Sequence, residues 1–291
     1  MKLNLIASLL VAGAILAPVA ATAAVSLPQF TVSTTSIPGA TGTLVGLGIV
    51  NSSFDADKLT GSYDEIVTVD NTGAFTSKVV ATFTGFTLNA GNVNNTGINS
   101  TYVLYAVLEA SGTASATSFL ATAASIDIFI DTGVSAPATA TTFAFGADAN
   151  AAITWANTAD DYKIGSAPSL ALNGAVDLIV PAAFNFFFKD FALTDTDQMA
   201  GEAGTQSGKT FFTAPADFYV NIHSDGDINS QDVATLAGLA AEAVTTGSAT
   251  RTLSGELSAD FARPVPEPTG LALTGLALAA LGLVSRRRKA A

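Results

Sequence analysis

The stretch Ser125-Ile-Asp-Ile-Phe-Ile-Asp131 decides the fold class. Ile126, Ile128 and Ile130 fall on one side of an extended chain, and Asp127, Phe129 and Asp131 on the other. Period-two alternation of β-branched residues is the pattern of a half-buried strand. The same pattern recurs outward from it. YDEIVTVD (Tyr63–Asp70) sets Ile66 and Val67 on opposite faces. SKVVATFTGFTLN follows the turn-like Asp70-Asn71-Thr72-Gly73 and puts Val79, Ala81 and Phe83 together. TYVLYAVLEA, AVDLIV, FNFFFKDFAL and DFYVNIHS continue the series, with Gly, Asn and Asp between runs. The expectation is an all-β domain, a β-sandwich or jelly roll.

One segment departs from this period. SQDVATLAGLAAEAV (Ser230–Val244) spaces Val233, Leu236, Leu239 and Ala240 as on a helix face. Asn229 or Ser230 can cap it, and Asp232 suits the positive end of its dipole. The spacing predicts a short late helix. SGTASATS (Ser111–Ser118) and SAPATATT (Ser135–Thr142) read as flexible surface connections.

Both ends of the 291-residue chain read as addresses. Residues 1–23 place Lys2 before an apolar run, then Pro18, then the small residues Ala21 and Ala23. That is the layout of a signal peptide cut by signal peptidase after Ala23. Residues 24–263 form the predicted exported domain. They carry 23 acidic and seven basic side chains, a net charge of −16. Such a surface repels nucleic acid and anionic lipid. It suits neutral sugars or divalent cations. The chain has no cysteine and one histidine, His223. Thiol catalysis, cysteine zinc sites and multi-histidine metal sites are therefore excluded.

Residues 264–291 hold Val265-Pro266-Glu267-Pro268, an apolar run from Thr269 to Val284, and the block Arg286-Arg287-Arg288-Lys289. Sixteen residues make a helix of about 24 Å. This is slightly short of the roughly 20 residues that span a bilayer comfortably. The basic block keeps the C-terminus inside while the body is exported. A transient membrane stage and a permanent single-pass anchor are both open.

These three elements in order resemble the PEP-CTERM sorting signal of exopolysaccharide-producing Gram-negative bacteria. The resemblance implies processing at Pro266–Pro268 by an exosortase. The stretches FDADKLTGSYDEIVTV, STYVLYAVLEASGT, SIDIFID, KTFFTAPADFYVNIHSDGD and LSGELSADFARPVPEP are similar to the flocculation-associated branch of such proteins. That likeness implies a non-enzymatic protein at the outer surface or in the matrix, acting with exopolysaccharide in flocs and biofilm.

Two other chemistries are weighed beside it. In NIHSDGDINSQD, Asn221, Asp225, Asp227, Asn229 and Asp232 take positions one, five, seven, nine and twelve of an EF-hand-like loop, with Gly226 at six. The run resembles half of a dockerin, and Ca²⁺ is the cation such oxygens would hold. His223 at position three is a poor ligand for a hard cation, and a polar turn that ends a strand and caps a helix is the other reading. A carboxylate pair drawn from Asp160, Asp161, Asp190, Asp195 and Asp197 would suit a glycan-cleaving enzyme only if geometry converged them. The single tryptophan, Trp155, either fills a core or stacks on a sugar ring.

Overall fold

The structure, a computed structural model, describes residues 29–35, 37, 43–44, 48–49, 51–132, 140–169, 174–177, 183–188, 191–194, 208–214, 219–223 and 230–262. Residues 1–23 and 264–291, read above as a signal peptide and a sorting tail, lie outside them. Among the described residues no helix is long and apolar enough to cross a membrane.

The protein is all-β with two helices among the described residues. The strands are β1 (Phe30–Ser33), β2 (Thr43–Leu44), β3 (Gly48–Ile49), β4 (Ser53–Ala56), β5 (Lys58–Asp70), β6 (Ala74–Leu88), β7 (Gly91–Asn92), β8 (Val103–Ala114) and β9 (Ser118–Asp131). They continue with β10 (Thr142–Ala144), β11 (Thr154–Ala156), β12 (Asp161–Ala167), β13 (Gly174–Asp177), β14 (Ala183–Phe188) and β15 (Ala192–Leu193). The last are β16 (Phe212–Ala214), β17 (Tyr219–His223) and β18 (Ser248–Ala262). The helices are α1 (Gly208–Phe211) and α2 (Ser230–Thr246).

The largest sheet runs β13-β14-β17-β18-β5-β6-β8-β9-β12-β15, all antiparallel. β9 changes partner along its length. Its residues Ser118–Ala121 pair with β13 and Ile126–Asp131 pair with β12. Because β13 also pairs with β14, the eight strands from β13 round to β9 close into a ring. Closure removes sheet edges that would otherwise invite association.

Two bulges bend the long strands. The register slips at Thr60/Gly61 against β6 and at Ser111/Gly112 against β9. Each bulge carries a glycine because the neighbouring backbone comes close. A Cβ on Gly61 would lie 2.2 Å from the Thr82 oxygen, and one on Gly112 2.0 Å from the Leu120 oxygen. No side chain fits there without backbone movement, and a bulge raises the local twist that a closing sheet needs.

The inward positions form the core. Leu104, Ala106 and Leu108 on β8 face Ile130, Ile128 and Ile126 on β9, all 4 % exposed or less. A second sheet, β16-β1-β4, packs over one end through an aromatic cluster. Phe30 of β1 lies 4.9 Å from Phe261, 5.7 Å from Phe212 and 6.4 Å from Phe86, ring centre to ring centre.

The helix forms where its apolar spacing placed it. Leu236, Leu239 and Ala243 are buried against β18 and β5, beside Leu253 and Leu257. Arg251 of β18 pairs with Glu242 of the helix, and the helix ends at Gly247, whose N–H returns to the Ala243 carbonyl at 2.9 Å. The SGTASATS stretch differs from expectation. Ser111–Ala114 belong to β8, and the connection is a tight turn over Ser115–Thr117. Small and β-branched residues pair readily there, and the Ser115 hydroxyl accepts the Thr117 and Ser118 N–H groups. Most of SAPATATT lies outside the described residues.

Candidate functional site: an aromatic cleft

The outward faces of β8 and β9 build the site. Tyr105 sits opposite Phe129, and Val107 opposite Asp127. The Tyr105 and Phe129 rings stack at 5.0 Å and 12°. The β10–β11 hairpin, with Phe143 opposite Trp155, brings the Trp155 indole to 5.7 Å from Tyr105 and 5.9 Å from Phe143. Tyr105, Phe129 and Trp155 line a cleft of about 390 Å³, to which Asp127, Thr158 and Asp161 add polar groups. Trp155 and Phe129 are partly exposed, so ring faces remain available to a ligand.

The polar rim is held firmly. The Tyr105 hydroxyl donates to Asp161 Oδ2 at 2.6 Å, and the Thr141 hydroxyl to Asp161 Oδ1 at 2.7 Å. Lys163 Nζ donates to Asp127 Oδ2 at 2.8 Å and lies 5.5 Å from the Phe129 ring centre. Burial, then the hydrogen bond to Asp161, keeps the Tyr105 phenol protonated well above its ordinary range.

Behind the rim, Asp131, Asp160 and Asp161 bring carboxylate oxygens within 4.8 Å of one another. Such oxygens are the ligand type of a hard cation. Asp131 is buried and accepts the Thr141 N–H at 2.8 Å, while Tyr105 and Thr141 already engage Asp161. Desolvation, then the nearby Asp131 charge, raises the Asp160 pKa. Desolvation also raises that of Asp161, against the hydrogen bonds from Tyr105 and Thr141.

A group whose folded pKa is raised binds its proton more tightly in the native state. It therefore weakens the fold at neutral pH, and that burden is relieved as pH falls through the raised value. Asp160→Asn is expected to raise the melting temperature at pH 7, by at most a few degrees because Asp160 is only half-buried and solvent screens its charge. The gain should vanish below the ordinary value of 3.8, where both states are protonated. Melting curves at the two pH values check this; an equal gain at both would remove the electrostatic cause.

The sequence-derived candidates distribute as follows. Asp160 and Asp161 converge with Asp131, and Asp190, Asp195 and Asp197 lie outside the described residues. Asn221 and His223 lie in β17, with His223 Nε2 2.8 Å from Asp260 Oδ2 on β18. Asn221 faces Asp260 across the ladder, and Asn221 Oδ1 and Asp260 Oδ1 are buried without a hydrogen-bond partner. Asp225, Asp227 and Asn229 lie outside the described residues. Asp232 occupies the first turn of α2, its side chain outside the description. Ala21, Ala23, Val265–Pro268 and Arg286–Lys289 also lie outside it.

Sequence reasoning singled out Trp155 but not Tyr105 or Phe129 as its partners. Their outward position was readable from the strand alternation, whereas the hairpin that lays Trp155 over them was not. No family model, no curated protein and no solved structure matches the chain.

Proposed function

We propose that the chain is an exported, non-enzymatic surface or matrix protein that holds exopolysaccharide, with its C-terminal Pro-Glu-Pro tail processed by an exosortase. The observation that carries the binding part is the Tyr105–Phe129–Trp155 cleft. Ring faces stack on the C–H faces of sugars, and rim carboxylates accept hydroxyl hydrogen bonds. The acidic balance of the body favours a neutral glycan over a polyanion. In this reading the domain is a sandwich- or jelly-roll-like ectodomain in a closed form: the large sheet makes a ring and the small sheet covers one end of it. Deleting the gene is expected to weaken flocs or biofilm while polysaccharide export continues. A wild-type copy should restore aggregation, and a Trp155→Ala copy should not. Normal aggregation in the deletion strain would overturn the proposal.

A calcium-dependent module around Asn221–Asp232 is the second reading. The two buried orphan oxygens of Asn221 and Asp260 favour it, because a cation between them would satisfy both. Bound Ca²⁺ would raise the melting temperature by mass action. No shift at millimolar calcium would leave only a turned-over Asn221 amide donating to Asp260.

A further inference from the structure

We infer that the aromatic cleft is one end of a longer groove, and that the groove takes an extended, uncharged polysaccharide segment rather than a single sugar. The inference rests on the glycan-binding reading of the cleft.

The outward positions of β8 run Tyr105, Val107, Glu109, Ser111. Opposite them on β9 stand Phe129, Asp127, Ser125 and Ala123. The first two pairs line the aromatic cleft, and the last two line a second cleft of about 420 Å³. The register between the strands is unbroken from Val103 to Ser111, since the bulge comes only after Ser111. The two clefts therefore share one continuous floor. The six steps from Tyr105 to Ser111, at ~3.3 Å each, give it a length of about 20 Å, room for about four hexose units in an extended chain.

One wall of this floor is the segment joining β10 to β11. This wall continues into β11, so that Asn150 of the joining segment borders the second cleft and Trp155 of β11 the aromatic one. It is tied to the sheet at three points. The Ala149 N–H donates to the Thr68 hydroxyl at 3.0 Å, Lys78 Nζ donates to the Ala151 carbonyl at 2.8 Å, and the Thr76 hydroxyl donates to Asn150 Oδ1 at 3.2 Å. Pro168, just beyond β12, lines the second cleft as well. The wall is thus set by the sheet before a ligand arrives, which lowers the ordering cost of binding.

The chemistry of the floor changes along its length. Rings dominate at the Phe129 and Trp155 end, where one sugar can stack on their partly exposed faces. Serine and alanine dominate at the far end, where a chain can lie close to the sheet. The charges select the class. Asp127, Asp161 and Glu109 line the groove against two lysines, and each lysine is already paired: Lys163 with Asp127 at 2.8 Å and Lys78 with Glu109 at 3.6 Å. A uronate or sulfated polymer would meet a surplus of like charge, whereas the hydroxyl groups of a neutral chain can donate to the carboxylates.

The test is calorimetric titration of the full chain with sized fragments, two, four and six units long, of the producing cell's own polysaccharide. Affinity is expected to rise about tenfold from two units to four and then to level off. Ser125→Trp fills the second cleft from an outward position. It should bring four-unit affinity down to the two-unit value while two-unit binding, the control for folding, is unchanged. Ala123→Trp should do the same. Trp155→Ala should weaken every length. Equal affinity for two and four units, with Trp155→Ala still damaging both, would overturn the groove and leave the cleft reading standing. Equal binding of uronate fragments would overturn the uncharged class. No binding of any fragment would remove both readings.

Discussion

Phe30→Ala is expected to destabilise the protein by about 3–5 kcal/mol, the range for removing a fully buried phenyl ring. Phe30 is 1 % exposed and sits among Phe86, Phe212 and Phe261. Those rings come from β6, β16 and β18, so one side chain joins the small sheet to the large one. The edge-on and tilted geometries of the cluster add to simple area burial. Truncation leaves a void that rigid strands on both sides cannot collapse into. In urea unfolding the midpoint should fall with little change in slope. A loss below about 1 kcal/mol would mean that the small sheet packs loosely and contributes little. Phe30→Leu, which keeps most of the volume, should cost distinctly less.

Trp155→Ala is expected to weaken glycan binding by about 2 kcal/mol, roughly thirtyfold, as for an aromatic anchor at the centre of an interface. The effect on stability should be small, because Trp155 is partly exposed on a two-stranded hairpin. The contrast between the two variants is informative. Phe30 should change melting and leave the ligand contacts intact, whereas Trp155 should change affinity and leave melting nearly unchanged. A large fall in melting temperature for Trp155→Ala would assign the ring to the core. Trp155→Phe should fall between, since a smaller ring keeps the stacking face but less area.

Much of the strand pattern was legible in particular residues. In Ser125–Asp131 the isoleucines point into the core, and Phe129 with Asp127 points out toward the cleft. The 3.6 spacing of Leu236 and Leu239 located α2, because helix and strand periods differ enough to be told apart in one window. The Ser111–Ser118 stretch misled, since small polar residues serve a strand as well as a loop when a neighbour supplies the ladder. The candidate site was half legible. Trp155 stood out by its rarity, but nothing within Thr154-Trp155-Ala156 tells whether the ring meets core or solvent.

By itself the sequence determined the all-β class, the inward and outward faces of the long strands, the late helix and the acidic balance. These depend on local period and on charge, which a chain carries whatever it later touches. Only the tertiary structure decided that β13 pairs with both β14 and β9, so that the strands close into a ring. Only it laid Trp155 over Tyr105 and aligned the two clefts on one floor. Those outcomes join residues some 50 positions apart, as Tyr105 and Trp155 are, and are set by packing energies spread over many strands rather than by any one segment.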